Sequence, residues 1–253
     1  MIEYVDEFYK SKRYYTGVGS RNAPMYILYM MSKLAMIFEK KGFILRSGCA
    51  TGADAAFESG VLNPKEMAEI YIPNKSFPDR MHDSYKSYYI VPKETYGLDF
   101  NGLYYSATRL IHSKNIHKYW FRGSLHVMDL HNRNMFQVLG RDLSTKSVFN
   151  VCYTRGRELK YSETTKDTGG TATSINACDL YNIELFNLSV DEHYIRLLDF
   201  IKLNDSLIDY DRLDKIIPRT KLNKILKNKC VHDYGYFKDI INKEMLERES
   251  KFN

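Results

Sequence analysis

The chain has 253 residues, 44% hydrophobic and 27% charged, a composition typical of a globular protein with one large domain. It contains no run of about 18 apolar residues, and its acidic N-terminus lacks the apolar stretch of a secretion signal, so we expect neither a membrane span nor secretion. The four cysteines are widely spaced, which predicts reduced thiols in a cytoplasm. The formal net charge of +6 is compatible with a polyanionic ligand.

The N-terminal part of the chain alternates between strand and helix patterns. Strands are predicted over Arg13–Val18, in "FILRSG" and in "MAEIYIP", which Pro73 ends. Helical spacing of apolar residues occurs between them, in "APMYILYMMSKLAMIFEKKG" and in "GADAAFESGVL". Strands that alternate with helices in this way predict a parallel sheet with helices on both faces.

The alternation weakens after residue 74 and returns near residue 147. Helices are predicted in "LYYSATRLIHS", "HVMDLHNRNMFQVLGRDL" and "ATSINACDLY", and strands in "SVFNVCYTRG" and "IELFNL". We therefore predict a doubly wound, mainly parallel α/β domain over residues 1–203, with a helical insertion near 74–143. Residues 204–253 are charged and helical in pattern, which predicts a C-terminal helical appendage.

Three turns rich in small residues are predicted at one edge of the sheet: "GVGSR", "RSGCATG" and "TGGTATS". Ligands of open parallel sheets bind at the carboxyl ends of the strands, and the start of a helix there favours an anion. Glycine lets a phosphate approach the backbone, and hydroxyl and guanidinium groups add donors. The candidate ligand-binding residues are Gly17, Gly19, Ser20, Arg21, Ser47, Gly48, Thr51, Gly52, Gly169, Gly170 and Thr171.

Known nucleotide and catalytic signatures are missing from the sequence. "GVGSRN" lacks the third glycine of GxGxxG, and neither GxxxxGK[ST], HExxH nor GxSxG occurs. The closest histidine pairs, His112 with His117 and His126 with His131, have no evident carboxylate partner in sequence. We accordingly expect no metal and no cofactor.

Asp54 and Glu58 lie four residues apart, so they share one face of the predicted helix. Asp54 in the first turn can stabilise the helix dipole, which is a purely structural role. Facing a ligand, the pair can hold ribose hydroxyls, or Glu58 can act as a general base on water. The sequence leaves these three roles open.

The three turns, taken in order, resemble the SLOG superfamily, whose Rossmann-like members include DNA-processing protein A (DprA) and the LOG phosphoribohydrolases. The segment "SGCATGADAAFE" is similar to the DprA pattern S-G-G-A-x-G-x-D-x-x-A-H, with Cys49 in place of the second glycine and Glu58 in place of the histidine. The residues that match this DprA pattern are Ser47, Gly48, Ala50, Gly52 and Asp54. "NRNMFQVLG" resembles the helix that carries the family's Arg-Asn pair, which adds Arg133 and Asn134 as candidate ligand-binding residues. The resemblance covers about residues 13–190 and is strongest to DprA-like proteins of tailed phages.

This resemblance implies a Rossmann-like nucleotide-binding domain and three alternative functions. The first is binding of a nucleotide-derived phosphate ligand. The second is N-glycosidic hydrolysis of a nucleoside monophosphate, with Asp54 and Glu58 as catalytic residues; Glu58 stands six residues after Gly52, whereas the LOG motif P-G-G-x-G-T-x-x-E places its glutamate closer. The third is single-stranded DNA binding in support of a recombinase.

The helix predicted in "APMYILYMMSKLAMIF" is apolar around much of its circumference. A helix that covers one face of a sheet normally keeps a polar stripe. Either the 74–143 segment buries this helix, or the helix forms a surface for self-association. We predict a homo-oligomer on this pattern.

Overall fold

A six-stranded sheet forms the centre of the computed structural model, which describes residues 12–77, 88–118 and 124–216. The strands are β1 (Arg13–Gly17), β2 (Phe43–Ser47), β3 (Ala68–Tyr71), β4 (Tyr89–Ile90), β5 (Phe149–Cys152) and β6 (Glu184–Asn187). All neighbouring strands are parallel, in the order β4-β3-β2-β1-β5-β6. The predicted doubly wound, parallel α/β fold is therefore confirmed.

The helices alternate with the strands along the chain. They are α1 (Met25–Lys40), α2 (Ala53–Gly60), α3 (Pro64–Met67), α4 (Pro92–Thr95), α5 (Leu103–Ser113), α6 (Leu125–Leu139), α7 (Thr171–Leu180), α8 (Asp191–Leu203) and α9 (Tyr210–Ile216). Short 3-10 turns occur at Tyr161–Glu163, Lys166–Thr168 and Asp205–Leu207. Among the described helices, none combines the length and the apolarity that crossing a membrane requires.

The helices form a layer on each face of the sheet. Buried residues of α1, α2 and α8 make one apolar cluster, and those of α5, α6 and α7 make the other. Successive side chains of β3 point to opposite faces of the sheet, so Ile70 belongs to the first cluster and Tyr71 to the second. The segment predicted as an insertion near 74–143 thus contributes α5 and α6 to the second layer.

Helix α1 is buried by its own chain. Its strongest contacts are with α2, followed by β2 and α8. The approach to α2 is close: the Ser32 hydroxyl donates to the Ala56 carbonyl at 2.8 Å, and a Cβ on Gly60 would overlap the carbonyl of Ser32. The apolar circumference of α1 is explained by this burial, so it no longer argues for self-association. The homo-oligomer stays a prediction without that support.

The described beginning of the predicted C-terminal appendage packs onto the domain. Ile208 and Leu213 are buried in the cluster that contains α1. The Arg212 guanidinium donates to the carbonyls of Ser59 at 3.0 Å and Val61 at 2.6 Å, just where α2 ends. Residues 204–216 therefore pack against the domain, and the remainder of the predicted appendage lies outside the described residues.

Candidate ligand-binding site

A cavity of about 490 Å³ opens beyond the carboxyl ends of β1 and β5. The chain leaves β1 toward β2 on one side, whereas β5 lies on the other side, so the strand order reverses here. Open α/β sheets bind ligands at this reversal point. The residues that follow β1 and β5, the loop before α7 and one side of α6 line the cavity.

Many of the predicted site residues line this cavity, and several do not. Those that line it are Gly19, Ser20, Arg21, Asp54, Arg133, Asn134, Gly169, Gly170 and Thr171. Those that are not among its lining residues are Gly17, Ser47, Gly48, Thr51, Gly52 and Glu58. Lining residues that sequence reasoning missed include Val127, Leu130, His131, Gln137, Thr154, Arg155, Asp167, Thr168 and Ser174.

The turn before α7, which we call the open turn (Thr168–Thr171), leaves free space beside its backbone. Gly169 has a φ of +65°, and a Cβ on it would meet no atom of the described residues within 4 Å. A Cβ on Gly170 would meet only Asn134 Nδ2, at 3.9 Å. The main-chain N–H groups of Gly170 and Thr171 donate to no other residue in the described part of the chain. They stand at the positive end of α7, where backbone donors favour an anion.

Two exposed guanidinium groups add positive charge to the cavity. Arg21 follows β1 and Arg155 follows β5, and both line the cavity. Neither forms an ion pair or a side-chain hydrogen bond with another residue in the described ranges. Two carboxylates, Asp54 and Asp167, also line the cavity. Asp54 lies 3.6 Å from the buried guanidinium of Arg133. The charges of Arg21 and Arg155 are therefore available to an anionic ligand.

The turn after β2, which we call the covered turn (Ser47–Gly52), is filled by protein atoms. A Cβ on Gly48 would overlap Nη1 of Arg133, which donates to the Gly48 carbonyl and, at 3.2 Å, to that of Tyr71. A Cβ on Gly52, whose φ is +80°, would lie 2.5 Å from the carbonyl oxygen of Arg21. The small residues that predicted a phosphate here instead admit Arg133 and the backbone of Arg21.

Gly17, Ser47 and Thr51 also have positions that the sequence did not anticipate. A Cβ on Gly17 would lie 2.6 Å from the Phe57 ring, so this glycine allows α2 to approach the sheet. The Ser47 hydroxyl donates to the Gly17 carbonyl at 2.7 Å and is fully buried. Thr51 is exposed outside the lining of the cavity.

Asp54 and Glu58 share a face of α2, but only Asp54 reaches the cavity. The Asp54 carboxylate accepts from the Ala50 N–H at 3.3 Å. Glu58 is buried and accepts from the hydroxyls of Tyr88 at 3.1 Å and Tyr89 at 2.8 Å. Burial is the main cause that raises the pKa of both tyrosines, which keeps them protonated as donors.

Two histidines from different elements meet beneath the open turn. The rings of His117 and His131 lie 3.9 Å apart between centroids, and His131 Nδ1 is 2.8 Å from the Thr173 hydroxyl. His117 Nε2 lies 3.4 Å from the Gly169 carbonyl oxygen. Burial first, then His117 and Arg133, lowers the pKa of His131 to about 3. The imidazole beside the cavity is therefore neutral at physiological pH.

Within residues 12–77, 88–118 and 124–216, no three His, Cys, Asp or Glu side chains come together as a metal site. Comparisons with models of protein families, with curated proteins and with solved structures found no match to this chain. The chemistry of the cavity is therefore the basis for a functional proposal.

Proposed function

We propose that the chain binds a nucleotide, or a nucleotide-derived phosphate ligand, in the cavity at the end of β1 and β5. The observation that carries this proposal is the pair of N–H donors of Gly170 and Thr171 at the start of α7, which have no acceptor among the described residues. Arg21 and Arg155 line the same cavity and add charge. Backbone donors at a helix start, together with guanidinium groups, are a usual environment for phosphate.

The rest of the cavity suits the remainder of such a ligand. Val127 and Leu130 of α6 offer apolar surface against which a base can lie. The Asp54 carboxylate is an acceptor that can hold a sugar hydroxyl. The volume of about 490 Å³ is within the usual range for small-molecule sites, roughly 300–1,000 Å³. The resemblance to the SLOG superfamily supports the same class of ligand.

Calorimetry with a panel of ligands tests the proposal. The panel contains nucleoside mono- and diphosphates, cyclic nucleotides, ADP-ribose and NAD, with the matching nucleosides as controls that lack phosphate. We expect at least one phosphorylated member to bind and its nucleoside to bind more weakly. A folded protein that binds no member of the panel contradicts the proposal.

N-glycosidic hydrolysis of a nucleoside monophosphate is a second candidate, favoured by the carboxylate of Asp54 within the cavity. Such a hydrolase needs a group that stabilises the sugar as the bond to the base breaks, or that activates water. Glu58 was predicted for this role, yet it is held by two tyrosines and does not line the cavity. Asp54 is therefore the better candidate.

Release of free base from a nucleoside monophosphate, followed by chromatography, tests the second candidate. Asp54→Asn should abolish release, and Glu58→Gln should leave it largely intact. Equal release by the wild type and the Asp54→Asn variant excludes the catalytic role of Asp54.

Binding of single-stranded DNA has less support from the cavity. Such sites combine a basic groove with aromatic rings on which bases stack. Among the described lining residues there is no Phe, Tyr or Trp. A gel shift with an oligonucleotide at low and at moderate salt tests this function: retention at both supports it, and no retention at low salt excludes it.

A further inference from the structure

One buried carboxylate, that of Glu158, connects the open turn to the loop after β5. Glu158 is only 6% exposed. The Thr168 hydroxyl donates to Oε1 at 2.7 Å, and the Thr154 hydroxyl donates to Oε2 at 2.5 Å. Both threonines line the cavity. The carboxylate therefore joins the two loops that carry the proposed anion donors, Arg155 and the N–H groups at the start of α7.

Further hydrogen bonds fix the direction of both threonine hydroxyls. Asn187 Nδ2 donates to the Thr154 hydroxyl at 2.6 Å and to the Glu158 carbonyl at 3.0 Å. The Thr168 hydroxyl accepts from the Thr165 N–H at 3.0 Å. A hydroxyl has one proton, and an ionised carboxylate can only accept, so each threonine gives its proton to Glu158. Neither hydroxyl then has a proton for a ligand.

The Glu158 carboxylate accepts these two hydrogen bonds without a cationic partner among the described residues. In the described part of the chain, no Lys, Arg or His forms an ion pair with Glu158. A buried charge is costly unless hydrogen bonds compensate it, and two short hydroxyl bonds provide that compensation here. The packing of apolar residues does not require a carboxylate at this buried position. The observed role of the carboxylate is to link the two loops of the cavity by hydrogen bonds.

We propose that Glu158 is a positioning residue for the phosphate group of the ligand. It fixes Thr168 and so keeps the following residues, Gly169 to Thr171, in the conformation in which two N–H groups have no acceptor from the described part of the chain. This inference rests on the proposed function. It predicts that Glu158 governs the contribution of the phosphate to affinity and leaves the binding of the base and sugar unchanged.

Three variants separate this role from a general effect on folding. Glu158→Gln replaces an acceptor oxygen by a donor, and Thr168→Val removes the matching hydroxyl with little change of shape. Glu163→Gln is the control, because Glu163 lies in the same loop, is exposed and, among the described residues, accepts only from the Leu159 N–H, at 2.7 Å. The Thr168→Val variant also keeps the test valid if Glu158→Gln does not fold.

The first measurement is hydrogen exchange of the ligand-free protein. We expect amides in residues 165–171 to exchange about tenfold faster in Glu158→Gln and in Thr168→Val, since each variant loses a charge-assisted hydrogen bond. Exchange in α1 and in the sheet should not change, and the control should match the wild type. Unchanged exchange of residues 165–171 in both variants overturns the inference.

The second measurement is the ratio of the affinities for adenosine 5′-monophosphate and adenosine. We expect Glu158→Gln to reduce this ratio about tenfold while the affinity for adenosine is unchanged. A ratio equal to that of the wild type overturns the inference, even if local exchange is faster. If the wild type binds neither probe nor any other member of the panel, the proposed function fails, and faster local exchange still shows that Glu158 holds the turn.

Discussion

The covered turn and the open turn have similar compositions and opposite surroundings. Both are rich in small residues, and both precede a helix. In the covered turn, the space above Gly48 contains the guanidinium of Arg133, which is buried and ion-paired with Asp54. In the open turn, no atom of the described residues lies within 4 Å of a Cβ placed on Gly169. Glycines in such a turn therefore indicate that something lies close to the backbone, and the structure decides whether that is a ligand or the protein.

Side chains of helix α6 fill the space over the covered turn but not the space over the open turn. Its residue Arg133 reaches over the covered turn to three acceptors, on Gly48, Tyr71 and Asp54. Burial lowers the pKa of this guanidinium, and Asp54 acts in the opposite direction. On the same helix, Asn134 only approaches the open turn, donating to the Gly170 carbonyl at 3.0 Å. One helix thus closes one candidate anion site and borders the other.

The largest expected effect is on stability, from Gly48→Ala in the covered turn. The added methyl group would overlap Nη1 of Arg133 and force this buried side chain to move. Overpacking of this kind costs about 1–3 kcal/mol, and we expect the upper end of that range because a buried ion pair is displaced as well. Equilibrium unfolding in urea measures the loss.

Gly97→Ala is the matched control for that prediction. Gly97 has a φ of +70° but open space around it, with Asp99 N at 3.9 Å as the nearest atom. Its substitution should cost only the strain of the left-handed conformation, about 1 kcal/mol. If Gly48→Ala is no more destabilising than Gly97→Ala, the covered turn is not filled in the way described.

A smaller effect is expected from the neutral histidine beneath the open turn. The pKa of His131 is lowered to about 3, against about 6.5 for an ordinary histidine. Between these values the unfolded chain binds a proton that the folded chain does not, so stability falls as pH falls through this window. The slope from this one group is at most about 1.4 kcal/mol per pH unit.

The variant His131→Gln should flatten the acid dependence of stability as the pH falls from about 6.5 toward about 3, because these two pKa values bound the window. The measurement is the free energy of unfolding in urea at several pH values. Parallel curves for wild type and His131→Gln would show that His131 is not held neutral in the fold.

Much of the fold could be predicted from the sequence, because it depends on local patterns. The strands β1, β2, β3, β5 and β6 and the helices α1, α2, α5, α6 and α7 follow from the period of apolar residues and from flanking glycine and proline. Strand β4 was not predicted, since its two residues are too few for an alternating pattern. The predicted insertion near 74–143 contains α5 and α6, and their packing against α7 could not be predicted because it depends on tertiary contacts.

The site was predictable only in part, because its residues meet through tertiary contacts. The sheet edge and the turns could be located from glycines and strand order. Arg155, His131 and Glu158 have no motif around them, and each acquires its role from a neighbour on another element. Glu58 is a different case: helical spacing placed it on the face of Asp54, but the contacts of Tyr88 and Tyr89 with its carboxylate arise from tertiary packing that the spacing does not reveal.

The counterpart of Gly48→Ala in the open turn is Gly170→Ala. This substitution should weaken ligand binding without lowering the stability of the fold. Gly170 has φ −62° and ψ −26°, values that alanine adopts without strain. We expect stability to stay equal or to rise by about 0.4–1 kcal/mol, because the unfolded chain loses freedom. Affinity for the phosphorylated ligand should fall about tenfold, since the methyl group obstructs approach to the N–H groups. Unchanged affinity in calorimetry would show that the ligand does not contact this turn.

The smallest expected effect comes from Arg155→Gln in the lining of the cavity. Arg155 is exposed, so water and salt screen its attraction for a phosphate, and we expect affinity to fall only about three- to fivefold. The loss of affinity should shrink as salt is added, whereas the loss of affinity caused by Gly170→Ala should not, because a steric obstruction is not screened.

Arg157→Gln is the control: Arg157 lies two residues away, is also exposed, and pairs with Asp191 at 3.1 Å outside the cavity lining. Calorimetry of the three variants at low and moderate salt makes the comparison. If Arg155→Gln and Arg157→Gln weaken binding equally, the effect is one of net charge, and Arg155 has no specific contact with the ligand.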